Sequence, residues 1–163
     1  MVVKKLLHVA LILGLSLGLS NCASKKKRGA MGEMEGYSEK AELYGDSDSK
    51  KAGLLRTVFF PFDSSMITGD TAMDLKENAT YLMDNTSINV QIEGHCDERG
   101  SVQYNLALGE RRAKAVKDYL VALGVKSSRI TIISYGKERA LEYGHSESSW
   151  SRNRRGNFVI TSK

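Results

Sequence analysis

The sequence predicts an α/β sandwich, with helices over one face of a four-stranded sheet, carried behind an apolar leader and a polar tether. Three observations predict it. Ile88, Val90 and Ile92 alternate with Asn89, Gln91 and Glu93, the period-two pattern of a half-buried strand. Residues 102–123 keep an apolar stripe at helical spacing and stop at Gly124. Strand-like and helix-like segments then take turns along the last stretch of the chain, an order that favours helices layered on a sheet.

The leader comes first. Met1-Val2-Val3-Lys4-Lys5 is a short basic start, and Leu6 to Leu19 is apolar apart from His8 and Ser16. Such a run falls short of the roughly 20 apolar residues that span a bilayer and fits the core of a signal peptide. Leu19-Ser20-Asn21-Cys22 follows and resembles a bacterial lipobox, although Asn21 stands where Gly, Ala or Ser is usual. The resemblance implies that residues 1–21 are a lipoprotein signal peptide and that Cys22 carries lipid. Several acyl chains on one residue anchor far more firmly than one, at ~0.8 kcal/mol per buried CH₂. Ala23, in place of an Asp after the Cys, implies outer-membrane sorting, with the domain facing the periplasm. The other cysteine, Cys96, is then not expected to pair with Cys22.

Residues 22–53 change composition: Lys, Glu, Ser, Gly and Asp dominate, and few apolar side chains are available to bury. Such a stretch does not offset its ordering entropy and is expected to be a disordered tether. As a flexible coil its ends average about 30 Å apart, with a stretched reach near ~100 Å. Lys25-Lys26-Lys27-Arg28 within it is either a solvated spacer or a contact for anionic head groups.

Residues 54–163 are expected to form one modest domain. They carry fifteen basic and thirteen acidic residues, a near balance within a chain of net charge +5. A nucleic-acid binder concentrates Lys and Arg on one face, so nucleic acid is not an expected partner. Thr57 to Phe62 reads as a short strand, with Pro61 at an edge, a bulge or the strand's end. Asp70 or Thr71 can cap a helix ending near Asn85, its inner face formed by Ala72, Leu75, Ala79, Leu82 and Met83. The strand at 88–93 leads to Gly94 and a polar loop, His95 to Gly100. In the helix from about Val102 to Leu123, the stripe is Leu108, Ala113, Val116, Tyr119, Leu120 and Leu123. Ile130 to Tyr135 is a third strand closed by Gly136, and a short helical piece, 148–154, precedes a last strand, 157–161.

Two stretches carry the functional signal. They are Glu93-Gly94-His95-Cys96-Asp97-Glu98-Arg99-Gly100 and Asn105-Leu106-Ala107-Leu108-Gly109-Glu110-Arg111-Arg112-Ala113-Lys114-Ala115-Val116. Together they resemble the signature of the OmpA-like peptidoglycan-binding domain, a Gly-His-x-Asp loop followed by Asn-x-x-Leu-Ser/Gly-x-x-Arg-Ala-x-x-Val. The Asp-Glu-Arg-Gly loop, Leu108-Gly109-Glu110-Arg111-Arg112, Ser134-Tyr135-Gly136-Lys137-Glu138 and Asn153-Arg154-Arg155 further resemble the peptidoglycan-associated lipoprotein branch. The likeness covers roughly residues 57–161. It implies a βαβαβ-type domain on a mixed four-stranded sheet, non-covalent binding of wall stem peptides, and no enzymatic activity. A role in a Tol-Pal system with a TolB-like β-propeller partner is also implied; a general wall anchor without that partner is the alternative. No cofactor is implied beyond the covalent lipid on Cys22.

A wall peptide containing meso-diaminopimelate ends in both an ammonium and a carboxylate. Recognising it takes an acceptor and a fork-shaped donor, the latter suited to a guanidinium. The resemblance assigns the acceptor to Asp97 and the donor to Arg112; from spacing alone the two can equally be a surface ion pair. Gly94 and His95 in the loop, and Asp63 at an acidic position of the first-strand motif, join them as candidate binding residues. Asn105 either locks the loop–helix junction or touches ligand, and Leu108 either packs beneath the ligand or belongs to the core. Arg154 and Arg155 are read as braces of the domain, a secondary binding role being the alternative. Pro61 stands where the family is often acidic, and Cys96 where Ala or Thr is common.

A hydrolase using His95, Cys96, Asp97 or Glu98 is the remote alternative. Four adjacent side chains at a strand end diverge and cannot converge on one ion. No Gly-x-Ser-x-Gly motif occurs in residues 54–163, and no His-Glu-x-x-His motif occurs in the sequence.

Overall fold

A computed structural model describes residues 44–163. The expected signal peptide, Cys22 and the expected tether as far as residue 43 lie outside the described residues. The elements run β1 (Val58–Phe59), α1 (Gly69–Asp84), β2 (Asn89–His95), α2 (Val102–Ala122), β3 (Ile130–Gly136), α3 (Glu147–Asn153) and β4 (Arg155–Ser162). They form one mixed sheet in the order β1-β4-β2-β3. β2 and β3 run parallel through the α2 crossover, while β4 is antiparallel to both β1 and β2. The expected mixed four-stranded architecture is therefore the observed one.

β1 is shorter than its apolar run because the chain turns away after Phe59. The Phe60 N–H still donates to the Arg154 carbonyl at 2.9 Å, and Pro61, with no N–H, follows where pairing ends. α1 starts after Thr68, two residues ahead of the expected cap, which frees the Thr71 hydroxyl to donate to the Phe59 carbonyl at 2.8 Å. Its inner face is Thr71, Leu75, Asn78, Ala79 and Leu82; Met83, expected inside, is 43% exposed. The helix is rotated because Asn78 faces inward, accepting from the Arg56 N–H and donating to the Arg56 carbonyl, each at 2.8 Å.

β2 departs most from expectation. Val90 and Ile92 face the helices and join Phe158, Ile160, Val116, Leu120 and Leu75 in the apolar core. Gln91 and Glu93, expected to face water, are buried too. β2 is an inner strand, and its far face lies beside a second, polar layer. There Asn157 Nδ2 donates to Glu93 Oε2 at 2.9 Å, and the Ser47 hydroxyl donates to Asn157 Oδ1 at 2.8 Å. Arg155 Nε donates to Asp48 Oδ2 at 2.7 Å, the arginine buried and the aspartate side chain 10% exposed.

That layer corrects the domain boundary. Residues 46–53, read from composition as tether, belong to the packed unit. Asp46 forms an antiparallel bridge with Val159, and Ala52 is fully buried in the core. Their polarity serves burial against other polar groups, which a hydropathy reading scores as solvation.

Candidate functional site

The site forms where β2 ends. Gly94 and Gly109 bring the strand and α2 into backbone contact: a Cβ on Gly94 would lie 1.8 Å from the Gly109 carbonyl oxygen. This close crossing lets residues leaving β2 reach the first turns of α2. The loop is then fastened from the helix side. Ser101 caps α2, its hydroxyl accepting from the Tyr104 N–H at 3.2 Å. Asn105 Nδ2 donates to the carbonyls of Arg99 at 2.8 Å and Ser101 at 3.1 Å. Of its two expected roles, the structure gives Asn105 the junction lock.

Between this loop and the turn after β1 lies an open cleft of about 170 Å³. Asp97, Arg112, Asn105, Leu108 and Asp63 all line it, joined by Phe62, Arg99, Tyr104 and Arg154. Gly94 and His95, expected among the binding residues, do not line it. Gly94 is sealed under α2. The His95 ring points to the opposite face of the sheet, stacked on Tyr135 with Nε2 3.4 Å from Glu93. His95 contributes its carbonyl instead, as an anchor for Arg112.

Arg112 is fully buried and fixed by backbone rather than by a carboxylate. Nε donates to the Ser64 carbonyl at 2.8 Å, Nη1 to His95 at 2.8 Å and Nη2 to Pro61 at 3.1 Å. Burial pushes its pKa down, yet a guanidinium remains charged. Its role in joining three chain segments was not legible from spacing, because it depends on where Pro61 and Ser64 fold.

Asp97 is 4% exposed and does not pair with Arg112. Its carboxylate accepts from Arg99 Nη2 at 2.6 Å and Nε at 3.1 Å, from the Arg99 N–H at 3.2 Å, and from Arg154 Nη1 at 3.3 Å. Burial alone would raise its pKa, but these bonds together outweigh it and hold the carboxyl below the usual aspartate value. Arg99 is clasped between the rings of Phe62 and Trp150, its guanidinium carbon 4.0 Å from each centroid. Trp150 in turn donates through Nε1 to Glu98 at 2.8 Å, and Glu98 also holds His145 Nδ1 at 2.6 Å.

Sequence reasoning missed Arg99, Phe62 and Tyr104. The signal for Arg99 was its place two residues after Asp97; for Phe62, an apolar residue beside an acidic one in a turn. Tyr104 donates to Asp63, which holds a left-handed backbone at φ +52° on the rim. Arg154 braces as expected, donating to Phe60 O at 3.1 Å and Glu147 Oε1 at 2.5 Å. It also touches Asp97.

The geometry gives no support to a Cys–His nucleophile. His95 and Cys96 leave the strand on opposite sides, and Cys96 Sγ lies 3.3 Å from the Asn105 carbonyl. Burial pushes the thiol's pKa up, away from reactivity.

The model of the OmpA family matches residues 59–154, which include every residue lining the cleft and the β2-α2-β3 unit that frames it. This chain belongs to the OmpA family. Among OmpA-family relatives, the peptidoglycan-associated lipoprotein of Pasteurella multocida is 40% identical over 152 residues, covering 93% of this chain and 96% of that protein. The peptidoglycan-associated lipoprotein of Brucella melitensis is 38% identical over 152 residues, covering 93% and 90%. The crystal structure of the peptidoglycan-associated lipoprotein from Burkholderia pseudomallei superposes with TM-score 0.62 at 41% identity, over 64% of this chain and 89% of that one. The C-terminal domain of Helicobacter pylori MotB shares the fold, with TM-score 0.60 at 19% identity over 65% and 83% of the two chains.

Proposed function

We propose that this chain is an outer-membrane lipoprotein that binds peptidoglycan stem peptides non-covalently and tethers the membrane to the wall. The observation that carries the reading is one cleft lined by a buried carboxylate, Asp97, and a buried guanidinium, Arg112. Those are the two charges needed for the zwitterionic end of meso-diaminopimelate. Arg112 commits three of its five N–H groups to carbonyls, so two remain for a ligand carboxylate. Leu108 and Phe62 supply apolar wall, and Asp63 with Tyr104 forms a polar rim. Gly94 and His95 act through the framework, by close packing and by anchoring Arg112.

Lipid on Cys22 and the polar chain before residue 46 give the cleft its reach from the membrane. The relatives named peptidoglycan-associated lipoprotein, matched over nearly their whole length, support the same reading. We propose further a place in a Tol-Pal system at cell division, with a TolB-like β-propeller as partner, on the resemblance of the Asp-Glu-Arg-Gly loop and Gly109-Glu110-Arg111-Arg112 to that branch. Co-purification of such a partner after mild crosslinking tests that role; its absence favours a general wall anchor.

The wall reading is tested by incubating the full chain, in detergent, with purified diaminopimelate-type sacculi. It should pellet with them and be released by excess soluble stem peptide, without lysing the wall. Failure to pellet contradicts the proposal.

A further inference from the structure

Asp97, the acceptor of the proposed site, already holds a cation. Arg99 grips it through two N–H groups of one guanidinium, at 3.1 and 2.6 Å. Three guanidinium groups border the cleft, and they are not equally free. Arg112 is bound to three carbonyls, and Arg154 to Phe60 O, Glu147 and Asp97, with its side chain 6% exposed. Arg99 is 32% exposed, and apart from Asp97 it is held mainly by the faces of Phe62 and Trp150. Stacking of an exposed guanidinium on a ring is a weak hold beside a buried, hydrogen-bonded ion pair. Arg99 is therefore the group that can swing away without leaving a buried charge unpaired.

From this we infer that Arg99 is an exchangeable counter-ion of Asp97, making the cleft selective for ligand ends that bear both an ammonium and a carboxylate. The inference rests on the wall-binding reading and names the specificity element of that site. A ligand with an ammonium alone must displace Arg99 from Asp97 and leave one more cation among the arginines. A ligand carrying both charges gives its ammonium to Asp97 and its carboxylate to the cleft between Arg112 and the released Arg99, so the cation it displaces is balanced by the anion it brings. Selectivity thus comes from the cost of the wrong exchange as much as from contacts to the right ligand. A lysine-ended stem peptide is the wrong ligand by this logic, and a meso-diaminopimelate-ended one the right ligand.

The chain's single tryptophan, Trp150, stacks on Arg99 and reports the exchange. The full chain in detergent is titrated with a meso-diaminopimelate tripeptide and with its lysine counterpart, following both affinity and Trp150 emission. The parent chain should favour the diaminopimelate peptide by about tenfold or more, with an emission change on binding. Arg99→Ala and Arg99→Gln, checked for unchanged thermal melting, should gain affinity for the lysine peptide, shrink the preference to about twofold, and lose the ligand-induced emission change. A preference retained in both variants, or an emission change that survives them, overturns the role of Arg99 and leaves wall binding standing. A parent chain that binds neither peptide overturns both.

Discussion

Gly94 and Gly109 touch backbone to backbone where β2 passes beneath α2, and the whole cleft is built outward from that crossing. A Cβ on Gly94 meets the Gly109 carbonyl at 1.8 Å, whereas one on Gly109 first meets the Ser134 hydroxyl at 2.3 Å, then Gly94 O at 2.7 Å. Gly94→Ala should therefore cost about 3 kcal/mol or more by overpacking. Gly109→Ala should cost less, because a hydroxyl gives way more easily than a peptide. Chemical denaturation of both variants checks the order.

Arg112 is a structural strut as well as a candidate ligand group. Arg112→Ala leaves the carbonyls of Ser64, His95 and Pro61 without their donor. The expected loss is about 3 kcal/mol, since buried acceptors left unpaired are costly. Arg112→Lys should recover only part of it, because one ammonium cannot reproduce the fork. A thermal melt of both variants measures the loss.

The polar layer on the far face predicts where the folded unit begins. Removing one partner of the largely buried Asp48–Arg155 pair strands a charge, so Asp48→Ala should lose about 3 kcal/mol. A chain starting at residue 54 lacks Ser47 and Asp48 altogether. It should melt lower than one starting at residue 44 by roughly 10 °C or more. Calorimetry on the two chains distinguishes this from a boundary at residue 54.

His95 predicts a pH dependence. Burial, outweighing the Glu93 hydrogen bond and aided by Arg155, lowers its pKa below the ordinary 6.5, with Glu93 and Asp48 opposing. Between that lowered value and 6.5 the unfolded chain binds a proton that the folded chain refuses, so stability rises with pH there. Acidifying from pH 7 through 6.5 should lower the melting temperature, and His95→Asn should flatten this slope. A slope unchanged by the substitution contradicts the assignment.

Much of this was legible in the sequence because it is local. The helical stripe of 102–123, its stop at Gly124 and the strand at 130–136 depend on nearby residues, and each lies within a residue or two of its expected place. Gln91 and Glu93 were misread because their burial depends on residues far away in the chain: Val159 beside Gln91, and Asn157, held by Ser47, on Glu93. Asp97 and Arg112 were legible as a pair only through the motif that contains them. Arg99 was hidden for a different reason. Its partners Phe62 and Trp150 lie on either side of it in sequence, and only the fold closes them around one guanidinium.

The central claim is that Asp97 receives the cation of a wall peptide, and Asp97→Asn tests it most directly. The substitution keeps the size of the side chain and removes the charge that Arg99 now holds. Binding of a soluble meso-diaminopimelate stem peptide to the full chain in detergent should weaken by about 100-fold, the equivalent of about 2.7 kcal/mol for a lost buried charge contact, with the melt showing a folded protein. Binding by the folded variant as tight as that of the parent chain would contradict the account.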